Sequence, residues 1–220
     1  RVYGGEERDA IMAPVHQSMR QLRQLSETLC DMIQAYVEAN CKRVAIHGDG
    51  SCLFRSITRG LDRPETEHFK LRKAILKYLG EHLDKYALTI EDVIATEYAN
   101  AVSAEMRRVK TVRDYLQHMQ RSTSYGDRPE ILAAAEIFQA AIVTVHTIGY
   151  GADKRYNVHE IVIPSELSPK RPVIFLNHTG AQHYNVLLPD LEKLTENVKL
   201  RKEQEEEQAE LSCEEVDDIV

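Results

Sequence analysis

Cys52 lies where a reactive thiol is expected, directly after the turn Gly48-Asp49-Gly50-Ser51 and at the start of a helical pattern. A thiol in the first turn of a helix faces unpaired backbone N–H groups and the positive end of the helix dipole, and both favour the attacking thiolate. The glycines let the backbone approach a substrate closely, so that the N–H groups of the turn can stabilise the oxyanion of an acyl intermediate. Considered alone, the turn fits a nucleophilic cysteine and a buried structural cysteine equally well.

A thiol nucleophile needs a general base, and His183 is the best placed of the nine histidines. It follows a Thr-Gly-Ala-Gln loop and opens the β-rich run that continues through Leu188. Asn185, two residues later, points to the same face of a strand, so its oxygen can accept the ring N–H and fix the tautomer. The remaining histidines are predicted to lie on solvated helices, inside an apolar strand or beside strands: His16, His47, His68, His82, His118, His146, His159 and His178.

The elements that position these residues change type along the chain. An apolar stripe from Ile11 to Val37 predicts a long helix, and periodicity alone leaves open whether it packs on the domain or binds a partner. A short strand over Arg43 to His47 is predicted to lead into the turn, and helices are predicted from Cys52 to Leu61 and from Pro64 to about Leu83. Capping-box patterns predict three further helix starts, at Thr89 with Asp92, Thr111 with Asp114, and Asp127 with Glu130, the first of these helices running toward Val109.

Short β-rich runs dominate the second half of the chain. They cover Ala141 to Ile148, Glu160 to Ile163, Val173 to Leu176 and Tyr184 to Leu188. Because most of the predicted helices precede the predicted strands along the chain, the sequence predicts an α+β fold, with a small, mainly antiparallel sheet packed between helices. A last helix is predicted after Pro189, followed by an acidic tail.

Composition excludes several classes of function. The net charge of −7 arises in the last thirty residues, where eleven acidic residues face four basic ones, so the neutral body offers no basic face for nucleic acid. No apolar run approaches the ~20 residues of a membrane span. The four cysteines form no C-x-x-C pair, so we expect no zinc site and a reducing, cytosolic setting. The chain starts at Arg1 and is expected to be part of a longer protein.

Three motifs together make the sequence similar to the ovarian-tumour (OTU) family of cysteine deubiquitinases. The run from Asp49 to Arg55, Asp-Gly-Ser-Cys-Leu-Phe-Arg, resembles the family signature Asp-Gly-Asn-Cys-Leu-Phe-Arg. His183-Tyr184-Asn185 resembles the C-terminal His-Tyr-Asn/Asp element, and the run from Tyr125 to Ala135 resembles the Trp-Gly-x-x-x-Glu-Leu-x-Ala-x-Ala helix. Ser in place of Asn at position 51 and Tyr in place of Trp at position 125 are the visible departures.

The resemblance implies a papain-like OTU fold and hydrolysis of the isopeptide bond between the ubiquitin C-terminus and lysine. Cys52 would attack and His183 would act as base, with either Asn185 or Asp49 as the third catalytic residue. Oxyanion and substrate contacts would come from Asp49, Gly50, Ser51 and Tyr184. No metal or cofactor is expected, and the expected partner is ubiquitin or polyubiquitin, bound by a monomer in the cytosol of its own cell or of a host.

The predicted organisation is a helical segment over 1–41, a catalytic domain over 42–190, and a helix with an acidic tail over 191–220. Two alternatives stay open. One is a catalytically silent OTU module that binds ubiquitin, and the other is a non-enzymatic helical interaction protein.

Overall fold

The computed structural model describes residues 5–149, 155–166, 171–180, 182–200 and 203–204, with side chains from residue 23 onward. Within this part of the chain, five strands form one mixed sheet. The spatial order is β1-β5-β4-β2-β3, and only the β2–β4 pair is parallel. The strands are β1 (Cys41–Val44), β2 (Ala141–Ile148), β3 (Arg155–Val162), β4 (Val173–Thr179) and β5 (His183–Pro189). The mainly antiparallel sheet is confirmed, and its early strand lies at the edge beside β5.

Six α-helices precede β2 in the described part of the chain. They are α1 (Gly5–Asn40), α2 (Cys52–Gly60), α3 (His68–Glu81), α4 (Leu83–Val93), α5 (Val112–Met119) and α6 (Arg128–Phe138). Short 3₁₀ turns cover Glu65–Glu67 and Met106–Arg108, a π-helical turn covers Ile94–Tyr98, and residues 191–200 are helical after β5.

Apolar cores lie on both faces of the sheet. The larger one packs α2, α3 and α6 against the sheet, and Leu53, Phe54 and Ile57 of α2 are fully buried there. The smaller one, on the opposite face, joins Val37 at the end of α1 to strand residues such as Val145. The sheet is therefore packed between helices, and the predicted α+β architecture is confirmed.

Two of the three predicted capping boxes form. Thr111 and Asp114 exchange their side-chain hydrogen bonds at the start of α5, and Asp127 and Glu130 do so at the start of α6. The helix start predicted at Thr89 is wrong, because α4 begins six residues earlier and passes through that position.

Packing explains why the Thr89 signal failed. Tyr86, Ile90 and Val93 form one buried stripe of α4 that spans Thr89, so tertiary packing overrides the local capping preference. This helical segment ends with the π-helical turn at Tyr98 and does not reach Val109. None of the described helices has an apolar stretch long enough to cross a bilayer.

Candidate active site

The turn that precedes Cys52, residues 48–51 (the nucleophile turn), depends on a glycine. Gly50 has φ +83°, and a Cβ at this position would lie 2.3 Å from the backbone oxygen of Thr123. Both the left-handed backbone and the close packing therefore exclude a side chain. The turn is held against residues 120–127, which connect α5 to α6 (the α5–α6 connection).

Cys52 is the first residue of α2, and its side chain is fully buried. Its Sγ lies 3.6 Å from the carbonyl oxygen of Gln182, which accepts a hydrogen bond from the thiol. Burial raises the pKa of this thiol above its ordinary value, although backbone groups of Tyr184 and Leu53 act in the opposite direction. The resting site therefore holds a neutral thiol, and attack on a carbonyl requires a base to remove its proton.

His183 and Asn185 lie side by side on β5. The imidazole Nε2 lies 3.2 Å from the Asn185 Oδ1, and this oxygen also accepts a hydrogen bond of 3.0 Å from the buried N–H of Ile46. Only the amide oxygen can accept from a backbone N–H, so the orientation of the Asn185 amide is fixed and its oxygen faces the ring. Nε2 must then donate its N–H to this oxygen, and in the neutral imidazole Nδ1 is the nitrogen that can accept a proton.

The free ring nitrogen faces the nucleophile turn. A Cβ built on Gly48 would lie 3.6 Å from the His183 Nδ1, at van der Waals contact, so this nitrogen borders the turn. The hydroxyl of Ser56, one helical turn after Cys52, donates to the Tyr184 carbonyl at 3.1 Å and thereby ties α2 to β5. The structure thus brings Cys52, His183 and Asn185 to one junction of helix and strand.

Asp49 has different partners from Asn185. Its carboxylate accepts a hydrogen bond of 3.0 Å from the Ser51 N–H and forms an ion pair of 2.6 Å with Arg55, which also binds Glu65. The Arg55 guanidinium lowers the pKa of Asp49 to about 2. These contacts stabilise the nucleophile turn, and it is the Asn185 amide, not the Asp49 carboxylate, that hydrogen bonds to the imidazole.

Two backbone N–H groups near Cys52 are available to an oxyanion. The Asp49 N–H already donates to the His47 carbonyl at 3.2 Å, whereas the N–H groups of Gly50 and Cys52 donate to no backbone oxygen within the described part of the chain. Ser51 is the N-cap residue of α2, but its hydroxyl donates to the Ser122 carbonyl at 2.9 Å instead of capping the helix. The first N–H groups of α2 consequently remain open toward Cys52.

A cleft of about 370 Å³ opens beside this junction, between the segment around Tyr98 and the α5–α6 connection. Gln182 and Tyr184 line its end nearest Cys52, and Tyr125 lines its wall. Gly126 lies against α2, because a Cβ there would come within 2.7 Å of the Leu53 Cδ2. The Tyr-Gly pair of the sequence motif therefore borders the cleft and packs on α2.

Sequence reasoning missed three contributors to the site: Ser56, Gln182 and Arg72. Ser56 had a signal, since it lies four residues after Cys52 and thus on the same helix face. Arg72 had a weaker one, because it shares a helix face with the apolar residues Ile75 and Leu76. The contact between the Gln182 carbonyl and the Cys52 thiol depends on the backbone path before β5, which the pattern of side chains in the sequence does not predict.

The sequence is similar to known cysteine proteases. The family profile described as OTU-like cysteine protease matches residues 47–184. The "OVARIAN TUMOR DOMAIN-containing deubiquitinating enzyme 10" of Arabidopsis thaliana is 26% identical over 66% of this chain and 33% of its own length. The chain spans about a third to a half of the first three curated relatives that it matches.

Solved structures show the same fold. The OTU domain of OTUD1 aligns with a TM-score of 0.54 at 20% identity, over 75% of this chain and 99% of that domain. The viral OTU domain protease from Farallon virus aligns with a TM-score of 0.51 at 18% identity, over 70% of this chain and 87% of that protease. Because the family profile covers more than half of the residues, the chain belongs to the OTU-like cysteine protease family.

Proposed function

We propose that this protein is a deubiquitinase, a thiol-dependent hydrolase of the isopeptide bond between the ubiquitin C-terminus and lysine. Family membership and the deubiquitinating activity named for the Arabidopsis relative support this proposal. The observation that carries it is the pairing of His183 with Asn185, whose oxygen also accepts the Ile46 N–H. This pairing leaves Nδ1 unprotonated beside the turn that bears Cys52, as a general base requires.

The acylation half of the reaction begins with the thiol proton. The thiol donates to the Gln182 carbonyl at rest, so transfer of its proton to His183 requires the Cys52 side chain to leave that carbonyl. Sγ then attacks the terminal glycine carbonyl of ubiquitin, and the N–H groups of Gly50 and Cys52 stabilise the oxyanion. His183 returns the proton to the lysine amine as the C–N bond breaks, and a thioester remains.

Deacylation uses the same groups with water as the nucleophile. His183 Nδ1 removes a proton from the water, which attacks the thioester, and the thiol is protonated again as ubiquitin leaves. Asn185 holds the imidazole in one tautomer during both halves. Asp49, through Arg55 and the Ser51 N–H, maintains the shape of the oxyanion pocket.

The cleft beside Cys52 is the proposed seat of the ubiquitin C-terminal tail. It ends at Gln182 and Tyr184, and its wall is formed in part by Tyr125. A protein substrate is held mainly by surfaces remote from the scissile bond, so a small cleft at the reaction centre is sufficient. We further propose that the enzyme acts as a monomer in a reducing cytosol, where its thiol stays free.

A ubiquitin derivative with an electrophile at its C-terminus tests the proposal against both alternatives. The enzyme should form a covalent adduct at Cys52, located by peptide mass spectrometry, and His183→Ala should slow its formation. A silent OTU module would bind the derivative without reacting, and an unrelated helical protein would do neither. Either of the last two results would overturn the proposed activity.

A further inference from the structure

Arg72 is a charged residue in the protein core. It lies on the inner face of α3, its residue surface is only 4% exposed, and its guanidinium stacks 3.9 Å above the ring of Phe54 in α2. Burial lowers the pKa of Arg72 to about 10, so the side chain is still charged at neutral pH. An arginine this deeply buried costs free energy unless it is well compensated by partners.

The partners of this guanidinium come from the nucleophile turn, from the α5–α6 connection and from the last residue of α5. Nη2 lies 3.0 Å from the Gly50 carbonyl oxygen and 2.9 Å from the Ser124 carbonyl oxygen, and Nη1 donates to the Met119 carbonyl at 2.9 Å. The Ser51 hydroxyl, at 3.2 Å from Nη2, is shared with the α5–α6 connection through its own bond to Ser122. None of these described hydrogen bonds goes to a carboxylate.

Fixing the Gly50 carbonyl also fixes the peptide that follows it. The peptide group is planar, so a hydrogen bond to the Gly50 oxygen sets the orientation of the Ser51 N–H as well. The next carbonyl, of Ser51, accepts the Arg55 N–H at 2.9 Å. Both peptide groups that lead to Cys52 are thus held by hydrogen bonds to their carbonyl oxygens, the first from Arg72 and the second from the Arg55 N–H.

We propose that Arg72 is a positioning residue: its guanidinium joins the nucleophile turn to the α5–α6 connection and so sets the place of Cys52 and of the N–H groups beside it. The inference rests on the proposed function, because the turn is taken to carry the nucleophile and the oxyanion donors. The Nε of Arg72 has no hydrogen-bond partner among the described residues, so all the described bonds of this side chain come from the two terminal nitrogens. A lysine, with one terminal nitrogen, keeps the charge but cannot span the same set of acceptors.

The test compares Arg72→Lys with Leu79→Ala. Leu79 is fully buried on the same helix, about 10 Å further along its axis, and its loss destabilises the core without altering the turn. We expect Arg72→Lys to lower kcat for a ubiquitin substrate about 10- to 100-fold with KM changed less than about threefold, whereas Leu79→Ala keeps both near the parent values at a temperature below its own Tm. Equal kcat losses in the two variants at matched stability would overturn the positioning role.

A measurement without substrate separates this inference from the proposed function. Backbone NMR order parameters of the N–H groups at residues 50–52 should be near 0.85 in the parent and fall below about 0.6 in Arg72→Lys, with little change in Leu79→Ala. If the parent does not cleave ubiquitin substrates, the proposed function fails and these order parameters alone decide the claim about Arg72. Unchanged order parameters would overturn it.

Ser51→Ala keeps the claim testable if Arg72→Lys does not fold. It removes the hydroxyl that Arg72 and Ser122 share, and it leaves the Arg72 bonds to the carbonyls in place. We expect a smaller loss of kcat, about three- to tenfold, and lowered order parameters at residues 50–52. A variant with parent kcat and a turn as ordered as in the parent would count against the positioning role.

Discussion

At the residue scale, the proposed chemistry depends on the contact between the Asn185 Oδ1 and the His183 Nε2. The amide of Asn185 is oriented by the Ile46 N–H, and in the proposed mechanism it determines which ring nitrogen of His183 accepts the thiol proton. The spacing of two residues on one strand was enough to predict this pair. It could not exclude Asp49, whose carboxylate turned out to bind Arg55, since that choice depends on how the turn folds.

Variants of the two candidate third residues should therefore differ in activity. Asn185→Ala should lower kcat about 10- to 100-fold, less than His183→Ala, because it loosens the imidazole without removing the base. Asp49→Asn keeps an acceptor for the Ser51 N–H and should retain kcat within about threefold. Steady-state kinetics on a ubiquitin C-terminal amide substrate decide the matter, and an inactive Asp49→Asn beside a normal Asn185→Ala would transfer the role to Asp49.

Glu130 gives a second prediction at this scale, on stability. It is fully buried, accepts the Tyr115 hydroxyl at 2.9 Å, and burial raises its pKa from 4.5 to about 7. The folded protein holds this proton more tightly than the unfolded chain, so the stability from this group is complete below pH 4.5 and is lost as the pH rises toward 7. The loss is on the order of 3 kcal/mol.

Glu130→Gln should remove that loss. Glutamine keeps an oxygen for the Asp127 N–H, and the Tyr115 hydroxyl can turn to accept from its amide. Urea unfolding at pH 5 and at pH 8 should show a smaller decrease in stability for this variant than for the parent. The same decrease in both proteins would show that another group is responsible.

At the element scale, local signals succeeded where packing agreed with them. The capping boxes at Thr111 and Asp127 formed because each directly precedes the apolar stripe of its helix. The strand from Ala141 to Ile148 was predicted with its observed bounds. The signal at Thr89 failed because the buried stripe of α4 runs across it. Sequence patterns thus predict element types well, but they do not report which of two overlapping signals the tertiary contacts will favour.

The apolar stripe of α1 shows the same limit of sequence patterns. Among the described side chains of this helix, the end of the stripe is buried and the part before it is exposed. Val37 is fully buried against the sheet and Tyr36 lies 5.8 Å from the ring of Phe175, whereas Leu25 is 67% exposed and Met32 is 65% exposed. The periodicity that predicted one stripe could not show where the helix leaves the domain. Packing therefore applies to the end of α1 that precedes β1.

Two substitutions in α1 test this division. Val37→Ala should lower the free energy of unfolding by about 1–3 kcal/mol, since it leaves a cavity in the smaller core, while Leu25→Ala should change it by less than about 0.5 kcal/mol. Thermal or urea unfolding measures both. If Leu25→Ala proved as destabilising as Val37→Ala, the exposed part of the helix would be packed in solution.

At the scale of the whole molecule, α2 packs on the sheet and brings together residues 131 positions apart in the sequence. The sequence predicted Cys52 and His183 because each lies at the start of its element, directly after a loop that contains glycine. It did not predict the contacts of Arg72 or of the Gln182 carbonyl. Both contacts involve a backbone carbonyl whose position depends on how a distant segment folds. The division into segments 1–41, 42–190 and 191–220 stays a prediction.

In the proposed function, Cys52 is activated by His183 and hydrolyses isopeptide bonds of ubiquitin. Initial rates on isopeptide-linked diubiquitins, for the parent and for Cys52→Ala, test it most directly. We expect the parent to cleave at least one linkage and Cys52→Ala to be slower by several orders of magnitude while its thermal unfolding stays close to that of the parent, since only one sulfur atom is lost. Cleavage by Cys52→Ala at a rate near that of the parent would contradict the account.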